Sequence, residues 1–201
     1  METIANQIQT VTQELTTPRH SPMPLKPKFA EWLGFQTLDD KELVKMASAA
    51  QEWASSFKSR LAPRWISMIG SSGTGKTHIG KRLWEYAKTH SDWQRFDYFP
   101  SVIFWPDFMQ QLRAGNKFEQ RQEMKRWPVL FIDDMGAERD PSGFAAEELN
   151  ALLGCRVDRW TIITSNKDAD GIKAIDGRIF SRMIRGQNIC VGVNTQDFAT
   201  R

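Results

Sequence analysis

Short apolar runs alternate with helix-length segments along most of the chain. The runs are rich in Ile, Val and aromatic residues, and they read RWISMIG, SVIFW, PVLFIDD, WTIITSN and NICVGVN. Continuous apolar runs of this length are typical of strands that are buried on both faces, and parallel strands need helical crossover connections. The pattern predicts an α/β fold with a parallel five-stranded sheet flanked by helices.

The segment before the first run has the periodicity of a helix. Asp39 followed three residues later by Glu42 matches a capping box, and apolar residues through Leu61 keep one helical face. Pro63 then ends the predicted helix.

The first 28 residues differ from the rest. Residues 1–16 place Ile4, Ile8, Val11 and Leu15 at helical spacing, which predicts a short amphipathic helix. Residues 17–28 contain four prolines and predict an extended linker. The globular domain is predicted to cover 29–201. A short tethered helix binds a partner, docks on its own domain or frays, and the sequence leaves these alternatives open.

Composition excludes several classes of protein. Hydrophobic residues make up 40% of the chain and charged residues 25%, as in globular proteins, and the net charge of +3 permits nucleic-acid binding. Cys155 and Cys190 lack the spacing of a metal site. No apolar run is long enough for a membrane helix, and no signal pattern opens the chain. We expect a soluble, cytoplasmic protein.

The stretch GSSGTGKT matches the pattern G-x-x-x-x-G-K-[ST] between a predicted strand and a predicted helix. Its glycines allow backbone N–H groups to surround phosphate oxygens, and the helix adds its positive end. We expect Lys76 to reach the β- and γ-phosphates of ATP and the Thr77 hydroxyl to bind Mg²⁺. The alternative is a surface turn. The predicted nucleotide-binding residues are Gly70, Ser71, Ser72, Gly73, Thr74, Gly75, Lys76, Thr77 and the adjoining His78.

Two carboxylates end the run PVLFIDD. We expect Asp133 to hold Mg²⁺, directly or through water, and Asp134 to orient or deprotonate the attacking water. An Asp pair that caps the next turn is the alternative, and Asp140-Pro141 just beyond is typical of a helix start. If the TSN strand lies between the other two, Asn166 or Thr164 lies beside the γ-phosphate.

Three arginines lie close together in DGRIFSRMIRG. Arg178 and Arg182 are four residues apart and share one face of a helix, and Arg185 follows. An arginine at the γ-phosphate neutralises charge that develops during hydrolysis. A solvated basic helix end is the alternative.

The stretches GSSGTGKTH, FIDDMGAERD, TSN and GRIFSRMIRG, in this order and spacing, resemble the AAA+ ATPases of the DnaC-like helicase-loader and IstB-like transposition-helper group. The resemblance runs from about Gly34 to the C-terminus. It implies a P-loop NTPase with an AAA+ core and ATPase activity. It also implies that Arg182 is an arginine finger acting on a neighbouring subunit, with Arg178 in support. The chain would then form a homo-oligomeric ring or spiral. Because the sequence ends at Arg201, we expect no C-terminal lid domain.

The resemblance further implies contact with single-stranded DNA. Lys117, Arg121 and Lys125 share one face of a predicted helix and are candidates for phosphate contacts. Because Glu119 and Glu123 lie opposite, a solvated helix of mixed charge is the alternative.

Four functions remain open at this point. The first is an ATP-dependent loader that delivers a replicative DNA helicase. The second is an IstB-like helper of a transposase, and the third is a nucleotide-gated adaptor with little hydrolysis. The fourth, a small-molecule P-loop kinase, conflicts with an arginine that acts between subunits.

Overall fold

A computed structural model of the chain describes residues 23–34, 40–62, 64–91 and 100–195. Within these residues, five strands form one sheet: β1 (Trp65–Gly70), β2 (Ser101–Phe104), β3 (Val129–Asp133), β4 (Trp160–Ser165) and β5 (Ile189–Val193). Their order is β2-β3-β4-β1-β5, and every neighbouring pair is parallel. The predicted sheet is confirmed, and β4 lies between β1 and β3.

Helices cover both faces of the sheet. Those in the described part of the chain are α1 (Pro27–Leu33), α2 (Lys41–Ser59), α3 (Lys76–Thr89), α4 (Trp105–Arg113), α5 (Phe118–Met124), α6 (Phe144–Gly154) and α7 (Ala169–Met183). One apolar core lies between the sheet and α1–α3, and a second lies between the sheet and α4–α7. The predicted α/β architecture is confirmed.

Strand β3 illustrates why the strands are continuous apolar runs. Phe131 packs in the first core, whereas Leu130 and Ile132 pack in the second. Successive side chains of a strand point to opposite faces, so a strand covered on both faces needs an apolar residue at every position.

Helix α3 approaches the sheet closely because it carries a glycine at the contact. A Cβ atom on Gly80 would lie 2.4 Å from Cζ of Phe131 on β3. Any larger residue would push the helix away from the strand. The close packing fixes the start of α3 relative to the end of β3.

A buried arginine ties the turns at the start of β4 to the end of α5. Arg156 is 0% exposed, and its guanidinium donates to the carbonyls of Met124 (2.6 Å), Trp127 (3.0 Å) and Trp160 (2.8 Å) and to Oγ1 of Thr161 (3.1 Å). Burial lowers the pKa of Arg156 to about 9. Within the part of the chain that the structure describes, carbonyl and hydroxyl oxygens are the acceptors for this buried charge.

The globular part of the chain begins earlier than predicted. Residues 17–28 are expected to form a linker, yet Pro27 already begins α1. Gln51 of α2 holds the preceding backbone, because its side chain donates to O of Pro24 (2.9 Å) and accepts from N of Lys26 (2.7 Å). The predicted N-terminal helix, residues 1–16, lies outside the described residues.

Two helix starts differ from the prediction. Asp40 is the N-cap of α2, and its carboxylate accepts from the backbone N–H groups of Glu42 and Leu43. Asp39, the predicted cap, lies outside the described residues. Asp140 caps α6 from a distance by accepting from N of Ala146 (3.0 Å), and α6 itself begins at Phe144 instead of at the Asp-Pro pair.

The end of α2 also differs from the prediction. The helix ends at Ser59, because Arg60 adopts a left-handed conformation (φ 61°). Leu61, predicted on the apolar face, is 66% exposed. Pro63 lies outside the described residues.

Candidate functional site

The loop of residues 70–75 joins β1 to α3 through three left-handed glycines. Gly70, Gly73 and Gly75 have φ values of 121°, 68° and 85°. At Gly70 a Cβ atom would lie 2.2 Å from O of Val193 on β5. Glycine is needed here for both conformation and space. The loop therefore curls tightly around the N-terminus of α3, where the first backbone N–H groups lack helical partners.

Lys76 lies inside this loop. Its ammonium donates to O of Gly70 (3.1 Å), to O of Ser71 and to Oγ1 of Thr74 (3.2 Å), and the residue is buried. Burial lowers the pKa of Lys76, while the negative charges of Asp134 and Asp133 act in the opposite direction. The positively charged ammonium group of Lys76 is therefore enclosed by the loop of residues 70–75.

The remaining loop residues have different surroundings. Ser71 forms two hydrogen bonds at the end of β5: its N–H donates to O of Val193 (3.1 Å), and its Oγ donates to Oδ1 of Asn194 (3.2 Å). Ser72 is exposed. The His78 ring lies 2.7 Å from O of Leu33, at the end of α1. The loop is thus attached to both α1 and β5.

Asp133, at the end of β3, accepts two hydroxyl hydrogen bonds. Thr77 Oγ1 donates to Asp133 Oδ1 at 2.8 Å, and Thr164 Oγ1 donates to the same oxygen at 2.6 Å. The carboxylate is largely buried. One oxygen of Asp133 therefore joins the first turn of α3 to the end of β4.

Asp134 follows directly and adopts a left-handed conformation, with φ 59°. Its N–H donates to Oγ1 of Thr164 (3.0 Å), and its Oδ1 accepts from Nδ2 of Asn166 (2.6 Å). Burial raises the pKa of Asp134, the negative charge of Asp133 raises it further, and Lys76 lowers it. Thr164 and Asn166, one or the other of which was predicted beside the γ-phosphate, both contact the acidic pair.

These oxygen ligands suit a hard cation. A hydroxyl and a carboxylate, supplemented by water and phosphate oxygens, are the usual ligands of Mg²⁺ in nucleotide sites. Thr77 and Asp133 provide this pair. No group of three or more His, Cys, Asp or Glu side chains suited to a metal occurs in the described residues.

Glu138 is a site neighbour that the sequence analysis did not single out. Its Oε2 accepts from N of Gly136 (3.0 Å), and its Oε1 accepts from Nε1 of Trp105 (3.0 Å). Its position within the GAERD stretch, four residues after Asp134, was the available indication.

In the described residues, the arginines of α7 form no hydrogen bond or ion pair with the acidic pair of the same chain. The helix is interrupted at Asp176, which is extended (φ −163°), and Arg178 pairs with Asp176 at 2.7 Å while remaining 66% exposed. This pairing raises the pKa of Arg178 and lowers that of Asp176. Arg182 donates through Nε to Oδ1 of Asn150 on α6 (3.0 Å). With Arg185, these two arginines line an open cleft of about 680 Å³.

The three basic residues predicted to share one face of a helix have different surroundings in the structure. Lys117 is the left-handed N-cap of α5 (φ 67°), and Lys125 lies at the C-cap and donates to Oε1 of Gln122. Arg121 is engaged with Glu148 of α6 by two bonds, at 2.5 and 2.8 Å. Beside Lys117, the ring of Phe118 is 58% exposed.

Within the described ranges, no helix has the length and apolar character required to cross a bilayer.

Comparison with known proteins identifies the family. Residues 37–190 match the family model described as the bacterial DnaA ATPase domain. The chromosomal replication initiator protein DnaA of Francisella philomiragia is 28% identical over 183 residues, which are 89% of this chain and 35% of that protein. The chain spans about a third of the length of the curated relatives it matches.

Solved structures agree with this fold. A replication initiator DnaA bound to AMPPCP and single-stranded DNA superposes with a TM-score of 0.61 and 21% identity, covering 86% of this chain and 51% of that chain. The DnaC helicase loader superposes with a TM-score of 0.59 and 17% identity, covering 84% and 100%. The predicted resemblance to the DnaC-like group is confirmed at the level of the fold. The bacterial DnaA ATPase domain is a relative that the sequence analysis did not name.

Proposed function

Because the chain belongs to the family of bacterial DnaA ATPase domains, we propose that it is a Mg²⁺-dependent ATPase that assembles on single-stranded DNA and delivers a replicative helicase. The observation that carries the ATPase proposal is the pair of bonds from Thr77 and Thr164 to Asp133. They join the start of α3 to the carboxyl ends of β3 and β4. In parallel α/β sheets this edge is where ligands bind.

ATP would bind with its phosphates in the loop of residues 70–75. The Lys76 ammonium would exchange its bonds to loop carbonyls for bonds to phosphate oxygens, and the N-terminus of α3 would add its positive dipole end. Thr77 and Asp133 would hold Mg²⁺, which supplies charge neutralisation at the β- and γ-phosphates. The three glycines with positive φ support this role, because they bring backbone N–H groups close to an anion.

Hydrolysis would depend on Asp134. A carboxylate whose pKa is raised by burial is a stronger base than an exposed one, and its pKa is closer to the operating pH. Asn166 donates directly to Asp134 at 2.6 Å, so its amide lies beside the carboxylate that would accept a proton from the attacking water. We assign Asp134 to the activation of water and Asn166 to its orientation.

Arg182 and Arg178 would act on the ATP of a neighbouring subunit. In the described residues, neither arginine contacts the acidic pair of its own chain, whereas both line a cleft open to the surface. An arginine supplied in trans accelerates hydrolysis by about 10³–10⁵-fold. The chain would therefore hydrolyse ATP as a homo-oligomer, a ring or a spiral.

Single-stranded DNA would bind along α5 and the turn before it. Lys117 and Lys125 supply positive charge, and the exposed ring of Phe118 offers a surface on which a base can stack. Arg121 would contribute less, because Glu148 already neutralises it. A solved relative with this fold, a replication initiator DnaA, is bound to single-stranded DNA.

The helicase is the proposed partner because the fold is shared with the DnaC helicase loader. A second candidate is a DNA-assembled ATPase of the initiator type that delivers no helicase. It is favoured by the family match and by the relatives, which are chromosomal replication initiators. The transposition-helper and adaptor alternatives stay predictions.

The test uses the full chain with the replicative helicase from its own source organism. We expect the chain with Mg²⁺-ATP to retain the helicase in size-exclusion chromatography and to transfer it to a single-stranded oligonucleotide. The Lys76→Ala variant should do neither. ATP hydrolysis and DNA binding without helicase retention would favour the initiator-type candidate, and the absence of all three would contradict both.

A further inference from the structure

Glu138 connects the loop after the acidic pair to the start of α4. Its two carboxylate oxygens accept from N of Gly136 and from Nε1 of Trp105, each at 3.0 Å. Trp105 is buried and is the first residue of α4. The preceding residue, Phe104, ends β2 and pairs in register with Asp133. Glu138 therefore connects the β2–α4 junction to the loop that begins at Asp134.

This loop has an uncommon backbone. Asp134 and Gly136 both have positive φ, 59° and 80°. A non-glycine residue in the left-handed region costs free energy and persists where its surroundings hold it. The conformation of Asp134 thus depends on the contacts of its loop.

The contacts of the loop come from two sides. The N–H groups of Asp134 and Met135 donate to Oγ1 and O of Thr164, at 3.0 and 2.9 Å, so β4 holds the first two residues. The N–H of Gly136 donates to Glu138 instead. Strand β4 therefore fixes one side of the loop, and Glu138 fixes the other by anchoring it to Trp105.

We propose that Glu138 is a positioning residue for ATP hydrolysis: it holds this loop so that the carboxylate of Asp134 stays beside Asn166. The inference rests on the proposed ATPase function of the same site. In the described residues, no lysine or arginine lies within ion-pair distance of Glu138, and its carboxylate is committed to two N–H donors. Glu138 contacts neither Lys76 nor Thr77, so its effect falls on turnover and not on ATP binding.

The first test is the Glu138→Gln variant. A glutamine side chain has one acceptor oxygen, so it can keep only one of the two N–H donors and directs an NH₂ group at the other. We expect kcat for ATP to fall about ten-fold, which corresponds to about 1.4 kcal/mol of barrier. The KM for ATP and the affinity for a fluorescent ATP analogue should remain close to those of the wild-type chain, and the Tm should fall by only a few degrees, because one N–H donor loses its acceptor. Glu52→Gln, on α2, is the matched control and should leave all four unchanged.

A second variant tests the same hydrogen bond independently if Glu138→Gln fails to fold. Trp105→Phe removes the indole N–H together with part of the buried ring system, and it leaves the bond between Glu138 and Gly136. We expect a smaller fall in kcat at unchanged KM, and no additional fall when it is combined with Glu138→Gln, because both act through the same anchor.

The outcomes separate this inference from the proposed function. A wild-type chain that hydrolyses ATP, with kcat unchanged in both variants, would overturn the role of Glu138 and leave the ATPase function intact. Parallel losses of kcat, ATP affinity and Tm would also overturn it, because they indicate a general structural role. A wild-type chain that binds ATP but never hydrolyses it, alone or with DNA, would refute the ATPase function and this inference together.

Discussion

A single hydroxyl group organises the acidic pair, and its removal is a sharp test of the site. Oγ1 of Thr164 donates to Asp133 Oδ1 at 2.6 Å and accepts from N of Asp134 at 3.0 Å. Thr164 is fully buried on β4, the strand between β1 and β3. The Thr164→Val substitution keeps the shape and the β-branch but removes both hydrogen bonds.

The expected loss of stability follows from these two bonds. A hydrogen bond to a charged group contributes about 1.5–3 kcal/mol, and a buried N–H left without a partner costs about 1–3 kcal/mol. Because the valine methyl group fills the space of the hydroxyl, no cavity cost is added. Allowing for partial overlap of the two effects, we expect the free energy of unfolding to fall by about 2–4 kcal/mol, which corresponds to a decrease in Tm of about 4–15 °C for a domain of this size.

The effect on activity should exceed the effect on stability. Groups that orient metal ligands typically contribute about 10–100-fold to metal affinity or activity, and Thr164 orients the proposed Mg²⁺ ligand Asp133. We therefore expect the Mg²⁺ concentration required for ATP turnover to rise and kcat to fall by about this factor.

The assays are urea denaturation without nucleotide and ATP turnover as a function of Mg²⁺. Thr164→Ser is the control, because it keeps the hydroxyl and loses one methyl group, at a cost of about 1 kcal/mol. If Thr164→Val unfolds and hydrolyses ATP like the serine variant, the two hydrogen bonds of the Thr164 hydroxyl do not stabilise the acidic pair.

Three further predictions concern charged residues. Burial raises the pKa of Asp134 in the folded state. At pH values just above the ordinary carboxyl pKa, the folded state therefore binds more protons than the unfolded state. The free energy of unfolding then falls as the pH rises and Asp134 ionises. Asp134→Asn should therefore raise Tm at neutral pH, with a gain that shrinks on acidification; a gain independent of pH would contradict this cause. Arg156→Met leaves buried carbonyls without donors and should lower the free energy of unfolding by about 2–4 kcal/mol, and an unchanged urea midpoint would count against that. Arg182→Ala should bind ATP without hydrolysing it, and mixing it with Asp134→Ala should restore part of the activity; no recovery at any ratio would exclude action between subunits.

The sheet was predictable because its strands are covered on both faces. Burial on both sides produces uninterrupted apolar runs, and parallel connections then require the helices between them. The helix starts were harder, since two adjacent aspartates precede α2 and either one fits a cap. Asp40 provides the N-cap of α2, and Asp140 accepts from the N–H of Ala146 without beginning α6 itself. Such one- to four-residue differences depend on local backbone geometry that side-chain type does not specify.

The proximity of the acidic pair to Asn166 was also predictable, because the carboxyl ends of parallel strands meet at one edge of the sheet. Contacts between side chains far apart in sequence were not. The Glu148 carboxylate that engages Arg121 lies 27 residues away, and the indole that anchors Glu138 lies 33 residues away. His78 belongs to the phosphate-loop stretch by sequence, but its ring contacts Leu33. These pairings are consequences of helix packing, which a pattern of apolar residues does not determine.

The most direct test of the proposed ATPase function is steady-state ATP hydrolysis by the full chain. It is measured with and without a single-stranded oligonucleotide and compared with the Lys76→Ala variant. We expect turnover by the wild-type chain to rise with DNA and to decline as salt weakens phosphate contacts, and we expect the variant to lose both turnover and ATP binding. Hydrolysis at the same rate in Lys76→Ala, or none by the wild-type chain under any of these conditions, would contradict the assignment of this site as an ATPase.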